Sequence, residues 1–177
     1  ESEHKDLEKF ASYYYRTFQG TDAVFFLQAL QRIYSEYNDM EQIFMAHYEM
    51  SGSIREALGG FRSEFFSCNH EKRTEKHFAD ISRGAAGKRL NMFLRWMVRN
   101  DKRGVDFGLW DKLPASKLFI PLDLHSGNIA RKLGLLKRRA NDWKAVEELT
   151  SVLRKFDQSD PVKYDYALFG LGVNEMF

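Results

Sequence analysis

The sequence predicts an all-α fold, and three observations carry that expectation. Apolar residues recur every three or four positions through most of the chain, the period of helices that bury one face. No series of alternating apolar and polar residues marks a set of strands. Pro occurs 3 times and Gly 12 times in 177 residues, too few for the frequent tight turns of a sandwich or barrel. With 44% hydrophobic and 15% aromatic residues, the chain can bury a core.

The elements follow in order. Leu7, Phe10, Ala11, Tyr14 and Phe18 share one face of a first helix, which Gly20 ends, and Thr21 or Asp22 caps the next. Phe25, Phe26, Ala29, Leu30, Ile33, Tyr34 and Tyr37 line a longer second helix, and a short one covers Met40 to His47. Ser53 and Glu56 form a capping box, because each side chain can satisfy a free N–H at the helix start. Ile54, Leu58, Phe61 and Phe65 are that helix's buried stripe, and Gly59-Gly60 weakens its middle. Residues 67–85 read as a loop with one helical turn.

From Lys88 to Arg99 the periodicity returns, with Leu90, Phe93, Leu94 and Met97 as the apolar face and Arg89, Arg95 and Arg99 elsewhere around the helix. Asn100 to Pro114 is an irregular connection, and the apolar run Leu118-Phe119-Ile120 stops at Pro121. Asp123 precedes a helix carrying Ile129, Ala130 and Leu133, closed by Gly134. Asp142 caps a helix with Val146, Leu149 and Leu153. Asp160-Pro161 then opens a last helix through Tyr164, Ala167 and Leu168 to about Gly170. The total is seven or eight helices. Residues 1–82 are read as a helical part that packs the core, and residues 83–177 as the part that carries chemistry, together one structural unit.

Composition also bounds function. No apolar run reaches the roughly 18 residues that cross a bilayer, so no membrane partner is expected. The charged first ten residues do not read as a signal peptide, and a cytoplasmic location is expected. Cys68, the only cysteine, excludes an internal disulfide, a cysteine-based zinc site and a four-cysteine iron–sulfur cluster. The five histidines (4, 47, 70, 77 and 125) are scattered, so neither a metal nor a cofactor is expected.

Net charge is +2, but it is unevenly spread. From Arg83 to Arg139 there are fourteen Lys and Arg against four Asp, a local +10 that leaves −8 for the rest. Such a basic middle suits an anionic partner. The plainer reading is a set of solvated helix faces.

Two residue groups stand out within it. Gly84-Ala85-Ala86-Gly87-Lys88-Arg89 places small residues before a basic pair at a helix start. Small residues admit a ligand close to the backbone, and a helix N-terminus binds phosphate. Taken alone, the segment is an ordinary glycine-containing loop. The second group is Ile120-Pro121-Leu122-Asp123-Leu124-His125, in which Asp123 taken alone is an N-cap.

Together and in this order, with Asp123 35 positions after Lys88 and Ile129-Ala130-Arg131-Lys132-Leu133-Gly134-Leu135 beyond it, the groups resemble the helix-hairpin-helix DNA glycosylase superfamily. The long gap is similar to that of the archaeal 8-oxoguanine glycosylase branch. A more specific resemblance is to the DUF2400 family of bacterial proteins. It is carried by the segment Lys88 to Arg99, by Val105-Asp106-Phe107-Gly108-Leu109-Trp110, and by Asp160-Pro161-Val162-Lys163-Tyr164-Asp165-Tyr166-Ala167-Leu168-Phe169-Gly170. Family members usually extend further at the N-terminus, so the resemblance implies that first helices are lacking here.

The superfamily resemblance implies a helix-hairpin-helix glycosylase-like fold and assigns roles. Lys88 is the nucleophilic amine that attacks sugar C1′ and forms an imine, and Asp123 deprotonates it or stabilises charge on the sugar. Gly84, Ala85, Ala86, Gly87, Arg89, His125, Arg131 and Lys132 contact DNA. Trp96, Phe107 and Trp110 line a pocket for a base that has left the stack, although core packing explains each aromatic as well. The implied partner is double-stranded, damaged DNA, and the implied location is then on the nucleoid. Ala86 stands where the superfamily prefers glycine, and Ser126-Gly127-Asn128 departs from its usual pattern. The expected function is therefore a glycosylase with AP-lyase activity on a damaged base such as 8-oxoguanine. Two alternatives stand beside it: a non-enzymatic nucleic-acid-binding module on the same scaffold, and a helical protein-interaction domain.

Overall fold

The computed structural model describes residue 7, residues 9–101 and residues 104–173. Among these residues the named elements are seven α-helices, three 3-10 helices and one short two-stranded ladder, so the fold is all-α as the periodicity predicts. No described helix is long and apolar enough to cross a membrane. The chain divides into two compact units, Glu1–Phe78 and Ala79–Phe177.

The first unit holds α1 (Gly20–Tyr37), α2 (Met40–Ser51), α3 (Ile54–Phe65) and a 3-10 turn, Lys72–His77. Its core is Phe25, Ala29, Ile33, Ile43, Phe44, Ala57, Leu58 and Phe65. The short helix expected to stop near His47 continues to Ser51, where Gly52 closes it in the left-handed region. The helix bearing Gly59-Gly60 is unbroken, capped by Ser53, which accepts from the Glu56 N–H at 3.3 Å. Gly60 has a packing reason, because a Cβ there would sit 2.4 Å from the His47 ring. The loop over residues 67–85 does contain its one helical turn.

The first expected helix is corrected. Residues 9–12 form turns, and Tyr14–Tyr15 pairs with Phe18–Gln19 across a hairpin whose Arg16 has φ 56°. Leu7 is helical, but most of the segment before residue 9 lies outside the described residues. The reason is the lack of a face to bury: Tyr13, Tyr14 and Tyr15 are 47%, 71% and 59% exposed. A short amphipathic segment stays helical only when packing rewards it, and consecutive aromatics favour an extended pair. Gly20 accordingly opens α1 instead of ending a helix, with a hypothetical Cβ only 1.9 Å from the Ala11 carbonyl oxygen. Asp22 caps from inside α1, accepting from the Gln19 N–H at 2.8 Å. That carboxylate is fully buried and also accepts from Thr74 at 2.7 Å and Arg73 at 2.9 Å. Burial pushes it up, yet these hydrogen bonds outweigh burial and hold it below the ordinary range.

The second unit holds α4 (Lys88–Val98), α5 (Leu124–Lys132), α6 (Trp143–Phe156) and α7 (Asp165–Val173). Short 3-10 turns, Ala115–Lys117 and Pro161–Tyr164, precede α5 and α7. Leu118, Ile120 and Leu122 are buried in an extended run, and the Ile120 N–H donates to Thr150 Oγ1 on α6 at 3.1 Å. Leu94, Ile129, Ala130, Trp143, Val146, Leu149 and Leu153 complete this core.

Helix α4 turns Leu94 of its expected apolar face fully inward, half-buries Leu90, Phe93 and Met97, and buries polar residues beside them. Asn91, Leu94 and Arg95 are its buried residues, and Arg99 follows at 6% exposure. Lys88, Asn91, Arg95 and Arg99 lie at helical spacing, so they form one polar stripe. Arg95 donates to Asp165 at 2.6 Å and faces Asp106 at 3.3 Å, with its guanidinium 4.0 Å from the Tyr166 ring centroid. Arg99 donates to Asp106 and, at 2.8–3.1 Å, to both oxygens of Asp160. Paired carboxylates make an inward arginine tolerable, whereas an unpaired one is not. Two of the fourteen cations of the basic segment are thus neutralised internally.

Candidate functional site

The site grows from two helix starts. Residues 81–84 form a turn closed by the Gly84 N–H on the Ile81 carbonyl at 2.9 Å. Ala85 then pairs with Asp142 in an isolated antiparallel bridge, and the Trp143 N–H donates to the Gly84 carbonyl at 2.9 Å. Gly87 caps α4 with φ 62°, and a Cβ there would meet Ile81 Cδ1 at 2.7 Å. Glycine is therefore required by both conformation and contact. The small-residue segment Gly84–Gly87 is thus preceded by a turn, not by an α-helix. The Gly84 and Ala85 N–H groups are engaged by the carbonyls of Ile81 and Asp80.

At the other helix start, Asp123 is both the N-cap of α5 and the partner of Lys88. One oxygen, Oδ1, accepts from the Ser126 N–H at 2.8 Å and from its hydroxyl at 3.0 Å, an N-cap of α5. The other, Oδ2, accepts from Lys88 Nζ at 2.7 Å. The Lys88 side chain is 45% exposed and that of Asp123 is 12% exposed, so the pair opens to solvent on the lysine side. Partial burial pushes the Asp123 carboxyl up, but hydrogen bonds from Lys88 and Ser126 outweigh it and hold the group below its ordinary range.

This pair is held by Arg131, which the sequence marked, and by Asn141, which it did not. Asn141 donates to the Asp123 carbonyl at 3.1 Å, and Arg131 donates to Asn141 at 2.6 Å and to the Arg138 carbonyl at 2.8 Å. Gly127 makes room for them, since a Cβ there would lie 2.9 Å from Asn141 Oδ1. Asp165 lies within electrostatic reach of both Lys88 and Asp123. Burial pushes its carboxyl up to about 6 despite the pull of Arg95. No sequence signal marks Asn141. Asp165 stands in the Asp160–Gly170 segment, but only the fold shows what it faces.

The other sequence-singled residues are placed as follows. Arg89, His125 and Lys132 are exposed and Arg131 is half-buried. The His125 ring packs edge-on against Phe169 at 6.0 Å. Arg138 is paired with Asp142, whose carboxyl that contact holds down at about 2. Trp110 is 9% exposed and packs edge-on against Phe93 at 5.6 Å, so it is a core residue. Phe107 is 59% and Trp96 38% exposed. Trp96 stands eight residues along α4 from Lys88, roughly 12 Å of helix, so this aromatic is not gathered at the lysine. The Phe107 N–H donates to the Trp96 carbonyl at 2.7 Å, which ties Phe107 to the same end of α4.

An amine and a carboxylate in contact at the surface can exchange a proton, and a lysine so placed can act as a nucleophile toward a carbonyl or sugar carbon. No curated protein and no solved structure matches the chain. The sequence profile of one family, described as "Protein of unknown function (DUF2400)", matches residues 1–174, and the chain belongs to that family.

Proposed function

We propose that the protein is a DNA repair glycosylase with AP-lyase activity on a helix-hairpin-helix-like scaffold, working on a damaged base such as 8-oxoguanine. The observation that carries the reading is the 2.7 Å contact between Lys88 Nζ and Asp123 Oδ2, two residues 35 positions apart. Lys88 gives a proton to Asp123 and attacks C1′. The bond from C1′ to the base breaks, and the base leaves with the electron pair and takes up a proton. Ring opening, with a proton passing from nitrogen to O4′, yields an imine. Loss of the C2′ proton then expels the 3′ phosphate, and water frees the lysine. Asp123, partly buried, takes the lysine proton, passes it to the departing base, and, anionic again, offsets positive charge on the sugar.

A second reading, a non-enzymatic nucleic-acid-binding module, is favoured by one observation. Asp123 is a complete N-cap through Ser126, a structural role sufficient to explain it. Borohydride trapping decides between the two. The protein is mixed with duplex DNA carrying an abasic site or 8-oxoguanine, and a covalent adduct is sought on a denaturing gel. An adduct lost in Lys88→Gln supports the lyase. Absence of any adduct from the wild-type protein, alongside salt-sensitive DNA binding, supports the binding module.

A further inference from the structure

Helices α5 and α7 pack together, and a groove of about 760 Å³ opens between them. On α5 its wall is a single helical stripe, His125, Asn128, Ile129 and Lys132, with Arg131 beside it. On α7 the facing residues are Leu171 and Val173. Between these two lies Gly172, where a Cβ would stand 3.0 Å from His125 Cβ, so the absent side chain lets α7 approach the first turn of α5.

The lining has two chemical sides. Arg131 and Lys132 carry positive charge, His125 and Asn128 are polar, and among the described residues no carboxylate lines the groove. Ile129, Leu171 and Val173 supply an apolar surface. A duplex backbone would use the cations and leave that apolar wall in water. An unpaired nucleotide uses both, since its phosphate needs a cation and its base has a flat apolar face. The groove also adjoins the reacting pair in sequence and in bonding: His125 is two residues after Asp123, and Arg131 reaches the Asp123 backbone through Asn141.

We propose that the α5–α7 groove binds an unpaired nucleotide of a nucleic-acid strand, its phosphate against Arg131 and Lys132 and its base against Ile129, Leu171 and Val173. The class of partner rests on the nucleic-acid reading above; the place and the preference for an unpaired nucleotide rest on the groove.

The test is fluorescence anisotropy on the whole chain with a short labelled oligothymidylate, the corresponding duplex, and a polyglutamate peptide. Val173→Asp and Lys132→Glu alter exposed positions, so both variants are expected to keep the wild-type circular dichroism spectrum. The expected result is binding of the single strand about tenfold tighter than the duplex, weakened about tenfold by each variant and by added salt. A Lys88-dependent adduct missing from the wild type while oligothymidylate binding persists would remove the catalytic reading and leave the groove assigned. Equal affinity for duplex and single strand, indifference to both groove variants, or equally tight binding of polyglutamate would overturn the proposal.

Discussion

Arg95 donates to Asp165 at 2.6 Å, with both side chains at least 95% buried, and this bond ties the helix that carries Lys88 to α7. Helix α7 in turn packs along α5, whose N-cap is Asp123. The Lys88–Asp123 contact is therefore braced by three helices and depends on a buried charge pair.

Replacing Arg95 tests that dependence. Arg95→Met keeps the volume of the stem but leaves Asp165 without its cation and Asp106 with Arg99 alone. A buried carboxylate stripped of its partner costs about 3–5 kcal/mol, and this loss is expected in urea unfolding. A cost within about 0.5 kcal/mol would mean that the network contributes little.

Asp165 gives the stability a distinctive pH dependence. Its carboxyl is raised from 3.8 to about 6 in the folded chain, chiefly by burial. Between these values the folded state binds the proton that the unfolded state has released, so this group lowers stability as pH rises through the window. The penalty is absent below the unfolded value, complete above about pH 6, and roughly 3 kcal/mol in size. The unfolding free energy of wild type minus that of Asp165→Asn is thus expected to fall by roughly 3 kcal/mol from acid to neutral pH. Urea titrations on either side of the window check it, and a pH-independent difference rules it out.

The two roles of Asp123 separate by substitution. Asn is as good an N-cap as Asp but cannot take a proton from Lys88. Asp123→Asn is expected to change stability little and to remove covalent trapping. Asp123→Ala removes the cap as well and is expected to lose about 1 kcal/mol more. Retained trapping in Asp123→Asn would show that the carboxylate has no chemical part.

The adjacent glycines of α3 are expected to respond in opposite directions. A Cβ at Gly59 meets nothing within 4 Å, so Gly59→Ala should stabilise by about 0.4–1 kcal/mol through the lower entropy of the unfolded chain. At Gly60 the methyl would strike the His47 ring, and Gly60→Ala should destabilise by about 1–3 kcal/mol. Thermal melts of the two variants compare the signs directly.

What the sequence determined by itself is whatever depends on near neighbours along the chain. The all-α class, the helices from Phe25 onward, and the caps at Ser53, Asp123 and Asp142 are set by 3.6-residue periodicity and by side chains within three positions of a free N–H. Lys88 and Asp123 were marked as a pair by resemblance, and the fold places them in contact. The tertiary structure decided the rest. Whether the segment before Gly20 is helix or hairpin depends on what covers Tyr14 and Tyr15. That α4 also turns Arg95 and Arg99 inward depends on Asp106, Asp160 and Asp165, which come from later in the chain. Asn141 and the α5–α7 groove are likewise products of long-range packing. Periodicity weighs apolar area along one helix; it cannot register a distant carboxylate that makes a buried arginine stable.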